Sequence, residues 1–584
     1  MERAQTPVQD MPRPVLDGQA RKRRWPASRA TTIVTAAAAV LSILAYLHFY
    51  PNGQTTAYMD SRSHLMIARR VIFADTPGAG QLGAVWLPLP HILMLPLVWD
   101  GWAFYSGFAG SIVMMASYVL LTVLAYKYTW HLTGRRTAAA VTATVIALNP
   151  NMLYMQSTAM TELLMFATMM GAVYGVLRWV QTDLDDRLHV IYLLGGGASM
   201  LACALTRYEG WTFAVTLTGV VAYCALFKHG IRRGLRRDSL RRNWHLTEGQ
   251  TLGFGILGAT GPLAWMAWNW TIEGSPLAFQ TGQYAKPSNW VGSGEKAVHH
   301  WWIALRTYEI ATVDTVTLPV AGLALAGLAL YLWRKRLSPE SMPLLSLLVM
   351  FPMYVVTLDT GQRPLHVWEY YHSFYNVRFG LVMVLPAALL AGYLVAEAMD
   401  LVARLGRRWQ PFGIALPLIV IGLITLSSAA ALRTGDIVTL EEPLAADAAP
   451  SAMQATATAD WLRTHYDGGL LLMESYGNEE VVFASHVPFQ DEVYEGSYRI
   501  WSPALAHPGY HEIAWVVMRD SSQDEVYTAL RASIVRYGYR LAWTNHDYLI
   551  YRWGGTAAQL AANARLGSGD AGTARTAALA RGGN

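Results

Sequence analysis

The feature that most constrains this chain is a series of apolar runs, each close to bilayer length and nearly free of charge. A membrane-spanning helix needs about 20 such residues. The runs fall at about 30–50, 105–127, 137–155, 162–180, 189–206, 211–228, 250–270, 314–333, 341–358, 378–400 and 412–433. They predict a polytopic α-helical membrane protein of about 11 transmembrane helices. The third run is the weakest, because its uninterrupted apolar stretch is short. Composition agrees: 15% of the 584 residues are charged, against about 25% in a soluble domain.

Charge sets the expected orientation. Residues 1–28 are polar and hold Arg21, Lys22, Arg23 and Arg24. No cleavable signal is expected there, and the run from Ala30 reads as a signal-anchor helix. Alternate connections repeat the basic character: Arg135–Arg136; Lys228 with Arg232, Arg233, Arg236, Arg237, Arg241 and Arg242; Arg334-Lys335-Arg336; and Arg404 with Arg407 and Arg408. The positive-inside rule then predicts a cytoplasmic N-terminus in the plasma (inner) membrane. The net charge of +5 is loop charge and not a nucleic-acid footprint. Cys203 and Cys224 lie in apolar runs, which excludes a disulfide framework and a cysteine metal site.

The opposite side carries longer connections, at 51–104, 271–313 and 359–377, within a membrane part at 29–433. After about Leu432 the pattern turns soluble, and 434–553 reads as a small extracytoplasmic α/β domain. Thr458–Tyr466 and Asp524–Tyr537 read as helices, and Leu470–Glu474, Ile513–Met518, Arg540–Trp543 and Tyr548–Arg552 as strands. Residues 554–584 are rich in Ala, Gly, Ser and Thr, and are expected to be disordered.

Polar residues that could carry chemistry gather at the ends of the apolar runs. Asp60 and His64 are four apart on an expected helix and share a face. A carboxylate at the membrane surface suits a general base; the plainer reading is a helix cap. His91 follows Trp86-Leu87-Pro88-Leu89-Pro90, ahead of a run too short to span, which reads as a re-entrant or surface helix. It is a candidate for substrate binding or for a structural role. Glu162 heads the fourth run after an Asn149-Pro150 turn, where a carboxylate also suits the helix dipole. Arg207 and Glu209 share a tight turn and could pair with each other, or Arg207 could hold a phosphate. Asn376 and Arg378 stand where the tenth run begins; Arg378 could snorkel or clamp a lipid phosphate. His299 and His300 are adjacent, which is poor spacing for metal ligands from one helix face. A divalent metal is left open.

In their order and membrane side these elements resemble the C-type glycosyltransferase superfamily, which includes protein O-mannosyltransferases and lipid A aminoarabinose transferases. The resemblance covers about residues 30–433. It rests on Asp60 with the helix ending in Ala68-Arg69-Arg70, the Asn-Pro turn before Glu162, Asn269 with Gly274-Ser275-Pro276-Leu277, and Asn376-Val377-Arg378-Phe379. It implies a glycosyltransferase that moves a hexosyl or pentosyl unit from a polyprenyl-phosphate donor to a glycan, lipid or protein acceptor of the cell envelope. It implies Asp60 as the catalytic residue; the chemistry of such a transfer then makes Asp60 the general base, with Arg378 and Arg207 the candidates for the donor phosphate and His64, His91, Glu209 and Asn376 the candidates around the substrates. Relatives often carry adjacent Asp-Glu, whereas Ser61 follows Asp60 here; either Glu162 supplies the second carboxylate or there is none.

Two other classes share the topology. A flippase or transporter for lipid-linked glycans would carry polar residues mid-span, and here they cluster at span ends. A ligase joining lipid-linked polymers differs only in its acceptor. A scaffold would not need so many spans.

Overall fold

In the computed structural model, residues 29–229 and 237–565 are described. The basic N-terminal segment 1–28, Arg232, Arg233, Arg236 and residues 566–584 lie outside them. Helices dominate, because charge-free runs must satisfy every backbone N–H and C=O internally. Eight helical stretches among the described residues are long and apolar enough to cross a membrane, or nine if one bent pair counts as a single span. The chain is a multi-pass membrane protein by this measure.

Three of the expected spans are not among the eight. The third is interrupted: its helix, Arg136–Ala147, is only 12 residues long. Asn149 ends it by accepting the Met152 N–H at 3.1 Å and capping a new short helix, Pro150–Met155. The run at 250–270 belongs to a 37-residue helix, Arg237–Glu273, with Pro262 inside. The helix Leu318–Lys335 meets Trp301–Val316 at a 107° bend. Thr317, at φ 77°, makes that corner, and Pro319 follows it in the first turn.

Among the described residues, basic connections meet in pairs at helix ends. Arg135 pairs with Asp400, and Tyr223 donates to the Leu337 carbonyl at 2.5 Å. The first long connection holds α1 (Arg29–Phe49) to α2 (Met59–Phe73) and α3 (Leu89–Val98). With ten residues, α3 is too short to span.

The C-terminal domain is a five-stranded sheet in the order β2-β1-β3-β5-β4. Its strands are β1 Leu470–Leu472, β2 Glu492–Val493, β3 Ile513–Arg519, β4 Tyr539–Thr544 and β5 Tyr548–Trp553. β1 runs parallel to β2 and β3, and β5 is antiparallel to β3 and β4. β2 was not expected, since a two-residue strand has no periodicity to detect. The expected helix Asp524–Tyr537 stops at Leu530; β-branched Ile534 and Val535 and the left-handed Gly538 (φ 93°) follow. Of the segment 554–584 expected to be disordered, 557–565 is helical and 566–584 lies outside the described residues.

This domain grips α2 with ion pairs. Arg70 sits 3.2 Å from Glu492, 3.0 Å from Ser475 Oγ, and over the Tyr494 ring at 3.7 Å. Arg62 pairs with Glu480 and, at 3.5 Å, with Asp447. The helix that bears Asp60 is therefore set by contacts hundreds of residues away in sequence.

Burial pushes the Glu474 carboxyl of this domain up to about 8, against one backbone N–H that favours its charge. The unfolded chain releases that proton near 4.5. The stabilisation is thus fully present below 4.5 and is lost as pH rises through about 8. Glu474→Gln keeps an acceptor for the Glu525 N–H. It is expected to raise the melting midpoint by about 2–4 °C at about pH 9 and to flatten its fall above about pH 6. Melts of both proteins at the two pH values check this, and parallel slopes would contradict it.

Candidate active site

Four carboxylates and three guanidiniums meet at the α2 end of the bundle. Each comes from a place where an apolar helix begins or a connection returns to the membrane. Arg378 is the hub. Its Nη2 lies 2.5 Å from Asp60 Oδ2, its Nη1 3.1 Å from Glu442 Oε1, and its Nε 3.2 Å from Glu162 Oε1. The last contact lacks hydrogen-bond geometry, so the buried Nε–H has no hydrogen-bond partner. Arg207 donates to Glu162 Oε1 at 2.9 Å, to Glu209 Oε1 at 3.0 Å and to Thr161 Oγ1 at 3.1 Å. Arg363 donates to Glu209 Oε1 at 2.9 Å, and the Tyr354 hydroxyl does so at 2.8 Å. Four acids against three bases leave one negative charge in excess.

Exposure separates these groups. The Glu162, Glu209 and Glu442 side chains are 2%, 2% and 5% exposed, whereas Asp60 is 37% exposed. Asp60 is thus the one carboxylate of the four that faces open space. It is not the helix cap: Tyr58 holds that position, and the Asp60 side chain turns to Arg378. Burial works against the charge of Arg207, but Glu209 and Glu162 outweigh it and hold its pKa above the usual value.

Local sequence explains the placements. Ser61, where relatives often carry a second acid, is fully buried; its Oγ accepts the Ala159 N–H at 3.1 Å. It ties the start of α2 to the turn before Glu162. From the membrane part, Glu162 is the other carboxylate beside Arg378. Asn376 adopts the left-handed region (φ 54°). Its N–H and that of Val377 reach Glu442 at 2.8 and 3.2 Å. The Asn376 side chain instead donates to the Pro364 carbonyl at 3.1 Å. Glu209 is engaged on one oxygen by Arg207, Arg363 and Tyr354.

His64 lies one turn from Asp60, and its Nδ1 is 2.9 Å from Nε2 of His91. His91 is completely buried behind it. His299 and His300 are not part of the cluster. Among the described residues no group of three or more His, Cys, Asp or Glu is placed to hold a metal ion. The cluster's acids contact arginines, while the buried Glu162 Oε2 and Glu209 Oε2 have no hydrogen-bond partner.

Sequence reasoning missed Arg363, Glu442 and Glu479. Arg363 stands in the third long connection, 15 residues before Arg378, without a periodic context. Glu442 lies on Val438–Asp447, just past the last apolar run, in a stretch that reads as the start of a soluble domain. Glu479, from the C-terminal domain, is pushed up to about 7 by burial, with Glu495 and Asp60 adding repulsion.

No protein-family model and no curated protein matches the chain. Solved structures do. ArnT from Cupriavidus metallidurans bound to undecaprenyl phosphate superposes with TM-score 0.54 at 13% identity, over 90% of this chain and 99% of that one. The same protein in the apo state gives TM-score 0.53 at 13% identity, over 90% and 98%. A weaker likeness, TM-score 0.49 at 13% identity over 85% and 70%, is to the archaeal oligosaccharyltransferase AglB from Archaeoglobus fulgidus in complex with an inhibitory peptide and a dolichol-phosphate. The chain shares its fold with that ArnT structure over 90% of its length.

Proposed function

We propose that a chain with this fold and this charge cluster is a membrane glycosyltransferase, moving a sugar from a polyprenyl-phosphate donor to a cell-envelope acceptor. The reading is supported most by one observation: of four carboxylates bound to three arginines, Asp60 alone is open to solvent. The likeness in fold to an ArnT structure bound to undecaprenyl phosphate supports the choice of donor.

The chemistry follows from the competition for Arg378. An incoming phosphate is bound best by displacing the most solvated partner, which is Asp60. Arg378, with Arg207 beside it, then balances the charge that builds on the departing phosphate. The displaced Asp60 carboxylate becomes available to take the proton of the acceptor hydroxyl. That oxygen attacks the anomeric carbon, the bond to phosphate oxygen breaks with its electron pair, and the configuration inverts. Glu162 and Glu442 stay on Arg378 and hold it in place. The site would face outward, with the N-terminus in the cytoplasm and 434–553 outside, by the positive-inside rule applied to the basic connections.

The test is transfer of radiolabelled sugar by the purified protein to a cell-envelope extract, from polyprenyl-phosphate sugars and from nucleotide sugars. Transfer from the lipid-phosphate donors alone is expected. No transfer from any of them, with lipid-linked glycan crossing vesicles instead, would overturn the reading in favour of a flippase.

A further inference from the structure

The two buried histidines beside the cluster carry an unused piece of information, namely where their protons lie. We infer that His64 presents a neutral Nε2–H donor to an anionic phosphate oxygen held between Arg207 and Arg378, and that His91 sets this tautomer. The inference rests on the transferase reading for the source of the phosphate, but not for the tautomer.

The geometry is a closed pair. His64 Nδ1 and His91 Nε2 are 2.9 Å apart, so one hydrogen lies between them. Trp86 covers the His64 ring at 4.4 Å between centroids. His64 is 5% exposed and His91 not at all. His91 Nδ1 is buried with no hydrogen-bond partner.

Neutral imidazole carries one N–H and one lone pair, which leaves two arrangements. If His64 donates through Nδ1, His91 must carry its proton on Nδ1, and a buried N–H is stranded. If His91 donates through Nε2, its Nδ1 is a stranded lone pair, and the proton of His64 sits on Nε2. Stranded buried donors are the rarer orphans. The second arrangement therefore wins, and His64 carries its N–H on Nε2, the ring nitrogen not engaged with His91.

The charged groups around the pair support a neutral ring. Arg207, from the turn before the helix Glu209–His229, and Arg378, from the connection preceding Val384–Arg404, both face His64 closely enough to disfavour its cation. Together with burial, the larger effect, they bring its pKa down to about 3. Burial first, and then His64, hold His91 well below its ordinary value. A neutral donor between two guanidiniums adds direction to anion binding without adding charge. It also excludes His64 as a general base, since Nδ1 is occupied and Nε2 carries a hydrogen.

The experiment uses the full chain in detergent. ¹⁵N-histidine NMR, with His64 assigned by its loss in His64→Gln, is expected to give a pyrrole-like Nε2 and a pyridine-like Nδ1 at about pH 7 and unchanged at about pH 5. The opposite tautomer, or an imidazolium, would overturn the inference. Binding of inorganic phosphate and of undecaprenyl phosphate is measured alongside. His64→Met is expected to weaken binding by about tenfold, whereas His64→Gln, whose amide can supply the same donor, stays within about twofold. His91→Gln keeps the donor to His64 Nδ1 and the affinity; His91→Met loses the single tautomer and weakens binding. Wild-type affinity in His64→Met would sink the proposed contact. Dependence on His64 seen only with undecaprenyl phosphate assigns the anion to a lipid headgroup, and seen equally with inorganic phosphate it assigns a free phosphate. If the binding pattern holds and no sugar is ever transferred, the donor stands and the transferase reading falls.

Discussion

Asp60→Asn is expected to lower sugar transfer by about 10²–10⁴-fold, the range that loss of a positioned general base produces. The substitution keeps the shape of the side chain and removes only its negative charge and proton affinity. The fold should survive it. Asp60 is 37% exposed, so an amide there is solvated, and Arg378 retains Glu162 and Glu442. Donor binding should hold or tighten, because the group that competes with phosphate for Arg378 has gone. The signature is a loss in kcat without a loss in donor affinity. Single-turnover transfer and separate binding of undecaprenyl phosphate measure the two. An Asn variant that transfers at the wild-type rate would reduce Asp60 to a ligand of Arg378.

Arg378→Met is expected to destabilise the protein itself, by about 3–5 kcal/mol, the usual effect of removing one partner from a buried ion cluster. Glu442 and Glu162 are 5% and 2% exposed. Without the guanidinium, Glu442 keeps only the two backbone N–H groups and the Tyr58 hydroxyl. Arg378→Lys should not rescue it, because a single ammonium cannot span three carboxylates as a planar fork can. Glu442→Gln should be milder, since its amide oxygen can still accept from Asn376, although its NH2 then meets the Val377 N–H. Folded yield and melting midpoint in detergent check the series. Arg378→Met melting with the wild type would mean that the carboxylates are protonated once unpaired, and that the cluster is held by something other than charge.

Much of this arrangement was already legible in the sequence. The charge-free runs require helices in a bilayer, because nothing else satisfies their backbone there. The order of Asp60, Glu162, Arg207, Glu209 and Arg378 at run ends pointed to a surface site, because charge is tolerated where a helix reaches the interface. The helical spacing of Asp60 and His64 placed them on one face, and α2 keeps it. These are local properties, governed by periodicity and by the cost of burying charge.

What only tertiary structure decided is who pairs with whom. No periodicity links Glu442 or Arg363 to Asp60, or shows the backbone at Asn376 turning two N–H groups to Glu442. The interruption at Asn149-Pro150 and the corner at Thr317 divided runs that hydropathy reads as continuous. Hydropathy averages over a window and cannot register a single cap or a single left-handed residue. Asp60 is the exposed member of the cluster for the same reason: exposure depends on which helices and which distant domain close around a residue. Its type announces a carboxylate, but only the packing of the bundle and the grip of the C-terminal domain on α2 leave that carboxylate open.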